Sequence, residues 1–288
     1  MAALQADRTS GARAGRAGER TGSPHLLDSL RLYLRYIGVS AQAQTQYKAS
    51  FVMLSIGAFG NTGLEFLTVW LLFDRFGQLG SWSLGEVALF YGVVNTAFAV
   101  AEILSRGFDT FGDWIKSGEF DRLLLRPRSP ALQLAGQEIR LRSVGRLLQG
   151  IVVLLWAAAA LHIPWTAGRL VLLSAALAGG ACLFYGLIVV QAAIAFWTTE
   201  SLEVINSFTF GGVQAAQYPL AIYPGWFRRM FIYVIPLGCV SYFPVVAILG
   251  HSDPLGAPPW VGWVSPLAGP AFLLLALQVF RFGVRHYA

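Results

Sequence analysis

The sequence predicts an all-α integral membrane protein with about six transmembrane helices and with both termini in the cytoplasm. Three observations predict this class. Of the 288 residues, 56% are apolar and only 12% are charged, so most of the surface must contact lipid rather than water. Long apolar runs separate the charged positions. Basic residues are concentrated in alternate loops between those runs.

Six stretches are predicted to span the membrane, because a bilayer core about 30 Å thick needs about 20 residues of helix. They are continuously apolar, whereas strands of a membrane barrel would alternate apolar and polar residues. The membrane domain is therefore residues 49–288, with spans at approximately 51–73, 84–105, 144–163, 170–197, 228–249 and 264–282.

The residues before the first span are predicted to lie outside the bilayer. Residues 1–22 are rich in Arg, Ala and Gly without an apolar core, which indicates a disordered basic arm rather than a signal peptide. Residues 23–48 are predicted to form an amphipathic helix along the interface. Its apolar residues recur every three or four positions from Leu27 onward, while Arg31 and Arg35 lie on another face.

The distribution of Lys and Arg predicts the orientation. Seven lie in residues 1–50, eight lie in 106–146, and four more lie at 228–229, 281 and 285. With six spans, these nineteen of the 21 basic residues share one side, which the positive-inside rule assigns to the cytoplasm. Membrane orientation therefore accounts for the net charge of +6, and no nucleic-acid partner is predicted.

Residues 204–227 are the weak point of this topology, because they carry no charge over 24 residues and a seventh span is an alternative. Polar residues and the helix breakers Pro219 and Pro224 make the segment a poor continuous helix in hydrocarbon. We expect a surface or re-entrant segment at the cytoplasmic side.

The loop after the second span has a strong pattern. Phe108, Phe111 and Trp114 fall on one apolar face of a predicted short helix, whereas Asp113 and Lys116 lie elsewhere around it. Aromatic anchors beside charges are typical of a surface that binds a protein partner.

Catalytic motifs are absent from the sequence. The only lysines are Lys48 and Lys116, and neither ends a G-x-x-x-x-G-K-[ST] phosphate-binding loop. All four histidines fall outside the predicted spans, and no H-E-x-x-H motif occurs. The chain is therefore predicted not to be an enzyme and to bind no cofactor or metal. Any ATP hydrolysis must take place on another chain.

Glu65 is the one acidic residue deep inside a predicted span, where an unpaired charge costs roughly 2.5 to 3.5 kcal/mol. The structural explanation is a hydrogen bond to a polar neighbour such as Asn61 or Asn95. The functional explanation is a place on a transport path, so a secondary carrier or channel that uses Glu65 is the alternative function.

The motif SGEFDRLLLRP at 117–127, followed by SP at 129–130, resembles the cytoplasmic loop of type-two ATP-binding-cassette (ABC) export permeases. It is closest to a small six-helix branch of that family. The pairs Tyr218-Pro219 and Tyr223-Pro224, with YFP at 242–244, are similar to the same branch. The resemblance extends over nearly the whole chain from about residue 26.

The resemblance implies a permease subunit of an ABC exporter in the bacterial cytoplasmic (inner) membrane. It also implies a second permease chain, identical or homologous, and two separate ABC ATPase subunits that bind ATP and Mg. By the resemblance, the ATPase-coupling residues are Phe108, Phe111, Asp113, Trp114, Lys116, Glu119, Phe120, Asp121 and Arg122. The residues that line the translocation path would be Asn61, Glu65 and Asn95.

Overall fold

The computed structural model describes residue 38 and residues 48–125, 129–137, 140–198 and 202–287. The predicted basic arm, 1–22, lies outside the described residues. So does the predicted interface helix, 23–48, apart from Gly38 and Lys48. The described part of the chain is helical and contains no strand, which confirms the all-α class.

The α-helices are numbered in chain order. They are α1 (Lys48–Phe76), α2 (Leu84–Leu104), α3 (Arg106–Asp109), α4 (Phe111–Ser117), α5 (Glu119–Leu124), α6 (Pro130–Gln137), α7 (Val144–Ala160), α8 (Ala167–Ile194), α9 (Leu202–Ala216), α10 (Gly225–Arg229), α11 (Leu237–Val240), α12 (Tyr242–Leu249), α13 (Val261–Val264) and α14 (Ala268–Tyr287). A π-helical turn, Met230–Val234, extends α10.

Five of the described helices are long and apolar enough to cross a membrane. They are α1, α2, α8, the span Leu141–Ala160 that contains α7, and the span Val261–Tyr287 that contains α14. Their positions match the predicted first, second, third, fourth and sixth spans to within a few residues. The protein is therefore a multi-pass membrane protein with five or six candidate spans.

The bundle is centred on α2 and α8. In α2, 78% of the apolar window is buried inside the protein, against 17% in α1. α2 packs on α7 and α8, and α8 packs along α14. α8 and α14 approach each other closely at Gly179 and Gly269, where neither residue has a side chain. A Cβ at Gly269 would lie only 1.9 Å from the carbonyl oxygen of Gly179. α1 packs mainly on α7, so it is the peripheral helix with the most open surface.

The predicted fifth span, 228–249, is divided into two helical arms in the structure. Its two arms, Gly225–Val234 and Leu237–Leu249, are bent by 74° relative to each other. Pro236 lies at the break. A proline interrupts a continuous helix because it has no N–H to donate and because its ring would clash with the preceding turn. The pair makes a sixth crossing only if both arms together form one span.

The second arm of the bent pair lies at the Ser83 end of α2. The Tyr242 ring stacks on Phe90 with centroids 6.1 Å apart, and its hydroxyl donates to Asp253 Oδ1 at 2.8 Å. His251 Nε2 is 3.3 Å from Glu86 Oε1, in the first turn of α2. The loop 250–260 therefore lies at the same end of the bundle as the start of α2.

The segment 204–227 is expected to be a surface or re-entrant segment, and its first half is helical. α9 packs on α2 and α8, and Asn206 lines the same small cavity as Glu102 at the C-terminal end of α2. Among the described helices, α9 is not one of the candidate spans. Both prolines of the segment fall after Ala216, so they do not interrupt this helix.

Candidate functional site

The loop after α2 folds into short helices, α3 to α6, at the C-terminal end of α2. The single short helix predicted here is interrupted at Thr110 and at Gly118. Gly118 has a φ of 71°, a left-handed conformation that glycine adopts without steric penalty. A Cβ at Gly107 would lie 1.9 Å from the carbonyl oxygen of Leu134, so α3 and α6 are in direct backbone contact.

The three loop phenylalanines predicted to contact a partner are buried inside this subunit. Phe108, Phe111 and Phe120 are each 1% exposed or less. The Phe111 ring centroid lies 4.9 Å from Phe120, 5.0 Å from Phe196 and 5.4 Å from Phe280. These rings fix the loop to the chain after α8 and to α14. They are not available as contact residues for another protein.

The other six predicted coupling residues form the outer face of the loop. Trp114 is half-buried, and the charged members of the set are exposed: Asp113, Lys116, Glu119, Asp121 and Arg122. The Asp121 carboxylate accepts a hydrogen bond from the Tyr287 hydroxyl at 3.1 Å, at the end of α14. These six residues therefore form a surface with both signs of charge around the indole of Trp114, and we call this surface the coupling face.

An ion network ties the loop to the two helices that flank it. Arg140 Nη1 lies 2.8 Å from Glu102 Oε1, and Arg140 Nη2 is paired with Asp109. Arg106 is 3.1 Å from Asp109, and Arg146 is 3.5 Å from Glu102 Oε2. The side chains of Arg140 and Glu102 are only 11% and 12% exposed. The network thus connects the end of α2, the helix α3 and the start of α7.

The network holds these three elements as one unit. The Arg140 amide also donates to the Ile103 carbonyl at 3.1 Å, so the backbone before α7 is attached to the end of α2. Removing one partner from a buried ion pair costs about 3–5 kcal/mol, because the remaining charge is left without compensation. Displacement of the loop should therefore be transmitted to α2 and α7.

None of these five network residues was predicted from the sequence as a site residue. The available signal is charge complementarity between the two ends of one loop: acids at 102 and 109 follow the second span, and arginines at 140 and 146 precede the third. The pairing itself could not be read from the sequence, because Glu102 and Arg140 are separated by 38 positions.

The residues predicted to line the path are not all together. On α1, Asn61 Nδ2 donates to Glu65 Oε1 at 3.4 Å, on a surface that the described residues leave open. Asn95 lies instead in the interior, where it is 1% exposed and donates to the Tyr91 carbonyl at 3.0 Å. Asn61 and Glu65 form a polar pair on one face, and Asn95 does not share that face.

The face of α1 around this pair has no cover in the described part of the chain. A Cβ at Gly57, Gly60 or Gly63 would have no neighbouring atom within 4 Å. Side chains that face lipid are usually apolar. This face instead carries the hydrogen-bonded side chains of Asn61 and Glu65 beside a row of glycines. This face is therefore suited to contact protein or to border a polar path.

Comparison with known protein families gives one match. The model of the ABC-2 family transporter protein matches residues 59–288, which is most of the chain and includes the larger part of the first candidate span and all of the others. No curated protein and no solved structure matches the chain significantly. Members of the matched family are membrane components that depend on an ABC ATPase and are not themselves catalytic. The chain belongs to the ABC-2 family of transporter proteins.

Proposed function

We propose that this chain is the permease subunit of an ATP-driven exporter in the bacterial cytoplasmic membrane. Two permease chains, identical or homologous, form the translocation path, and two separate ABC ATPase subunits bind ATP and Mg. The observation that carries the proposal is the coupling face, whose charged residues are exposed while the ion network fixes its base to α2 and α7.

A rigid attachment is what ATP-driven transport requires of such a loop. ATP binding changes the shape of the ATPase, and this change can move the spans only through contacts that differ between the two states. The Phe111 cluster prevents the loop from bending away from α14, and Arg140 prevents it from separating from α2. The charged rim and Trp114 remain free to contact the ATPase.

The open face of α1 supports a second permease chain. A glutamate in hydrocarbon costs roughly 2.5 to 3.5 kcal/mol unless it is paired or hydrated. Within the described residues, Glu65 has only one hydrogen bond, from Asn61. A second copy placed against this face would either cover the pair or enclose it in a hydrated path.

The test of the proposed function is co-purification. The protein, extracted from its native membrane in a mild detergent, should bring with it a nucleotide-binding subunit at equal stoichiometry and show ATP hydrolysis. Disruption of the gene should raise the cellular content of the exported substances in an untargeted comparison with wild-type cells. A native complex without any ATPase would refute the proposal.

The orientation can be tested with cysteines in a background where Cys182 and Cys239 are replaced by Ser. We expect Ser252→Cys to react with an impermeant thiol reagent in intact cells, and Ser117→Cys to react only after the membrane is opened, because basic loops stay cytoplasmic. Both positions are exposed. Labelling of positions 117 and 252 from the same side would contradict this orientation.

The alternative function, a secondary carrier or channel, depends on Glu65. Glu65→Gln should insert and fold normally, because it removes a costly charge and keeps hydrogen-bonding capacity toward Asn61. In the proposed exporter, the variant should reduce export while ATP hydrolysis continues. The measurements are membrane protein level, ATP hydrolysis and retention of exported substances. Unchanged export at several substrate concentrations would show that Glu65 has only a packing role, and complete dependence on a proton gradient would favour the carrier.

A further inference from the structure

A cleft of about 340 Å³ opens between the first part of α1, the end of α2 and the start of α7. Its lining divides into two parts. One part is apolar or small and belongs to α1, including Met53, Leu54 and Gly57. The other part is charged and includes Glu102, Arg142 and Arg146, together with the small polar residue Ser143. The cleft therefore offers a polar end and an apolar end to the same ligand.

The charged end has an excess of positive charge. Arg142 is exposed and forms no ion pair with any described residue. Arg146 has only the longer contact to Glu102, at 3.5 Å, and that carboxylate is already paired with Arg140 at 2.8 Å. The Arg146 guanidinium lies over the Phe98 ring, 5.1 Å from its centroid, which holds it at the wall of the cleft. Arg142 and Arg146 thus line the cleft beside a single carboxylate, which Arg146 shares with Arg140.

The apolar end is open toward the bilayer. Met53 is 77% exposed and Leu54 is 53% exposed, on a helix that crosses the membrane. Gly57 leaves space in the wall, since a Cβ there would meet no atom within 4 Å. An acyl chain can therefore remain in hydrocarbon along α1 while its head group reaches the arginines.

We infer that this cleft admits the exported substrate sideways from the inner leaflet, and that this substrate is an amphiphile with a phosphate or carboxylate head. The inference rests on the proposed function. Arginine binds both head groups through paired hydrogen bonds. The arriving anion competes with Glu102 for Arg146, and Glu102 is the acid through which Arg140 fixes the loop. Binding of the anion in the cleft therefore alters the ion pairs that hold the loop with the coupling face.

The binding test uses the full permease in phosphatidylcholine nanodiscs and a dodecyl phosphate that carries a diazirine on its chain. Photolysis should label the peptide that contains Met53 and Leu54. Unlabelled dodecyl phosphate should lower this labelling at least tenfold, whereas dodecyltrimethylammonium should leave it unchanged. Equal competition by the cation, or labelling spread evenly over all spans, overturns the inference.

Two pairs of variants separate the cleft from general effects on the membrane domain. Arg142→Gln should lower labelling about tenfold, because a hydrogen bond to a charged group is lost. Gly57→Leu should lower it similarly by filling the wall. Arg281→Gln and Gly211→Leu are the matched controls, since Arg281 is exposed on α14 and Gly211 is an equally open glycine on α9. Equal losses in the controls and in the cleft variants overturn the inference.

A second readout distinguishes a substrate from a resident lipid and from failure of the proposed function. In the complex with its ATPase, dodecyl phosphate should stimulate ATP hydrolysis in wild type and in Arg281→Gln, but not in Arg142→Gln. Specific labelling without stimulation shows a bound lipid and overturns the substrate assignment. Absence of any ATPase from the native complex refutes the proposed function, while photolabelling of the permease alone still reports on the cleft.

Discussion

Replacing Arg140 by Gln is expected to disconnect the coupling face from the membrane helices. The change leaves Glu102 with only the 3.5 Å contact to Arg146, and it leaves Asp109 with only Arg106. Breaking a buried pair of this kind costs about 3–5 kcal/mol. Backbone amides of α3 to α5 should therefore exchange with deuterium at least tenfold faster in the variant. ATP hydrolysis should continue, whereas the nucleotide-dependent change in reactivity of a cysteine at Ser252 should be lost.

Companion variants separate coupling from general unfolding. Arg140→Lys keeps the charge but cannot bridge two carboxylates with a planar fork, so an intermediate effect is expected. Glu102→Gln combined with Arg140→Gln removes both charges and should lose less stability than the sum of the single changes. Arg281→Gln, an exposed arginine of α14, serves as the control. Wild-type exchange and an intact nucleotide response in Arg140→Gln would show that the network does not transmit movement.

The membrane class and most of the spans could be predicted from the sequence because span length and apolarity are local properties of the chain. The first, second, third, fourth and sixth spans were located to within a few residues. The break within 228–249 is not visible from apolarity alone, and its only local signal is Pro236 in the middle of the stretch. In 204–227 both prolines follow the helix, which ends at Ala216.

The site could be predicted only in part, because burial depends on distant residues. An aromatic pattern in a loop indicates a contact surface but does not reveal which surface it contacts. Phe111 and Phe120 pack on Phe196 and Phe280, which are far away in the sequence. With Phe108, three of the nine expected contact residues therefore belong to the internal core. The charged residues kept their exposure because no described element covers that face. Asn95 was assigned to the path by its position in a span, yet its side chain bonds within its own helix.

The second large effect is expected from Trp114→Ala, which removes the central apolar group of the coupling face. A tryptophan surrounded by charges is the residue type that most often dominates a protein interface, and its truncation costs on the order of 2 kcal/mol or more. The affinity of the permease for the ATPase should therefore fall about 30-fold. Fold stability should fall less than after truncation of a fully buried ring, because Trp114 packs against the core of the loop but is only half-buried. The measurements are the amount of co-purified ATPase and the thermal unfolding midpoint of the permease.

Phe111→Ala is the matched control, because it removes an aromatic ring from the same helix, but one that is fully buried. With the ring fully enclosed by Phe120, Phe196 and Phe280, truncation should cost about 3–5 kcal/mol of stability and lower the unfolding midpoint. A tryptophan that merely lies against lipid head groups would give a different result, since aromatic side chains are common there without any partner. In that case Trp114→Ala would co-purify with the ATPase at the wild-type level and retain stimulated hydrolysis. Loss of ATPase in Trp114→Ala with only a small drop in the unfolding midpoint, together with a large drop and retained ATPase in Phe111→Ala, would assign coupling to Trp114 and structural support to Phe111.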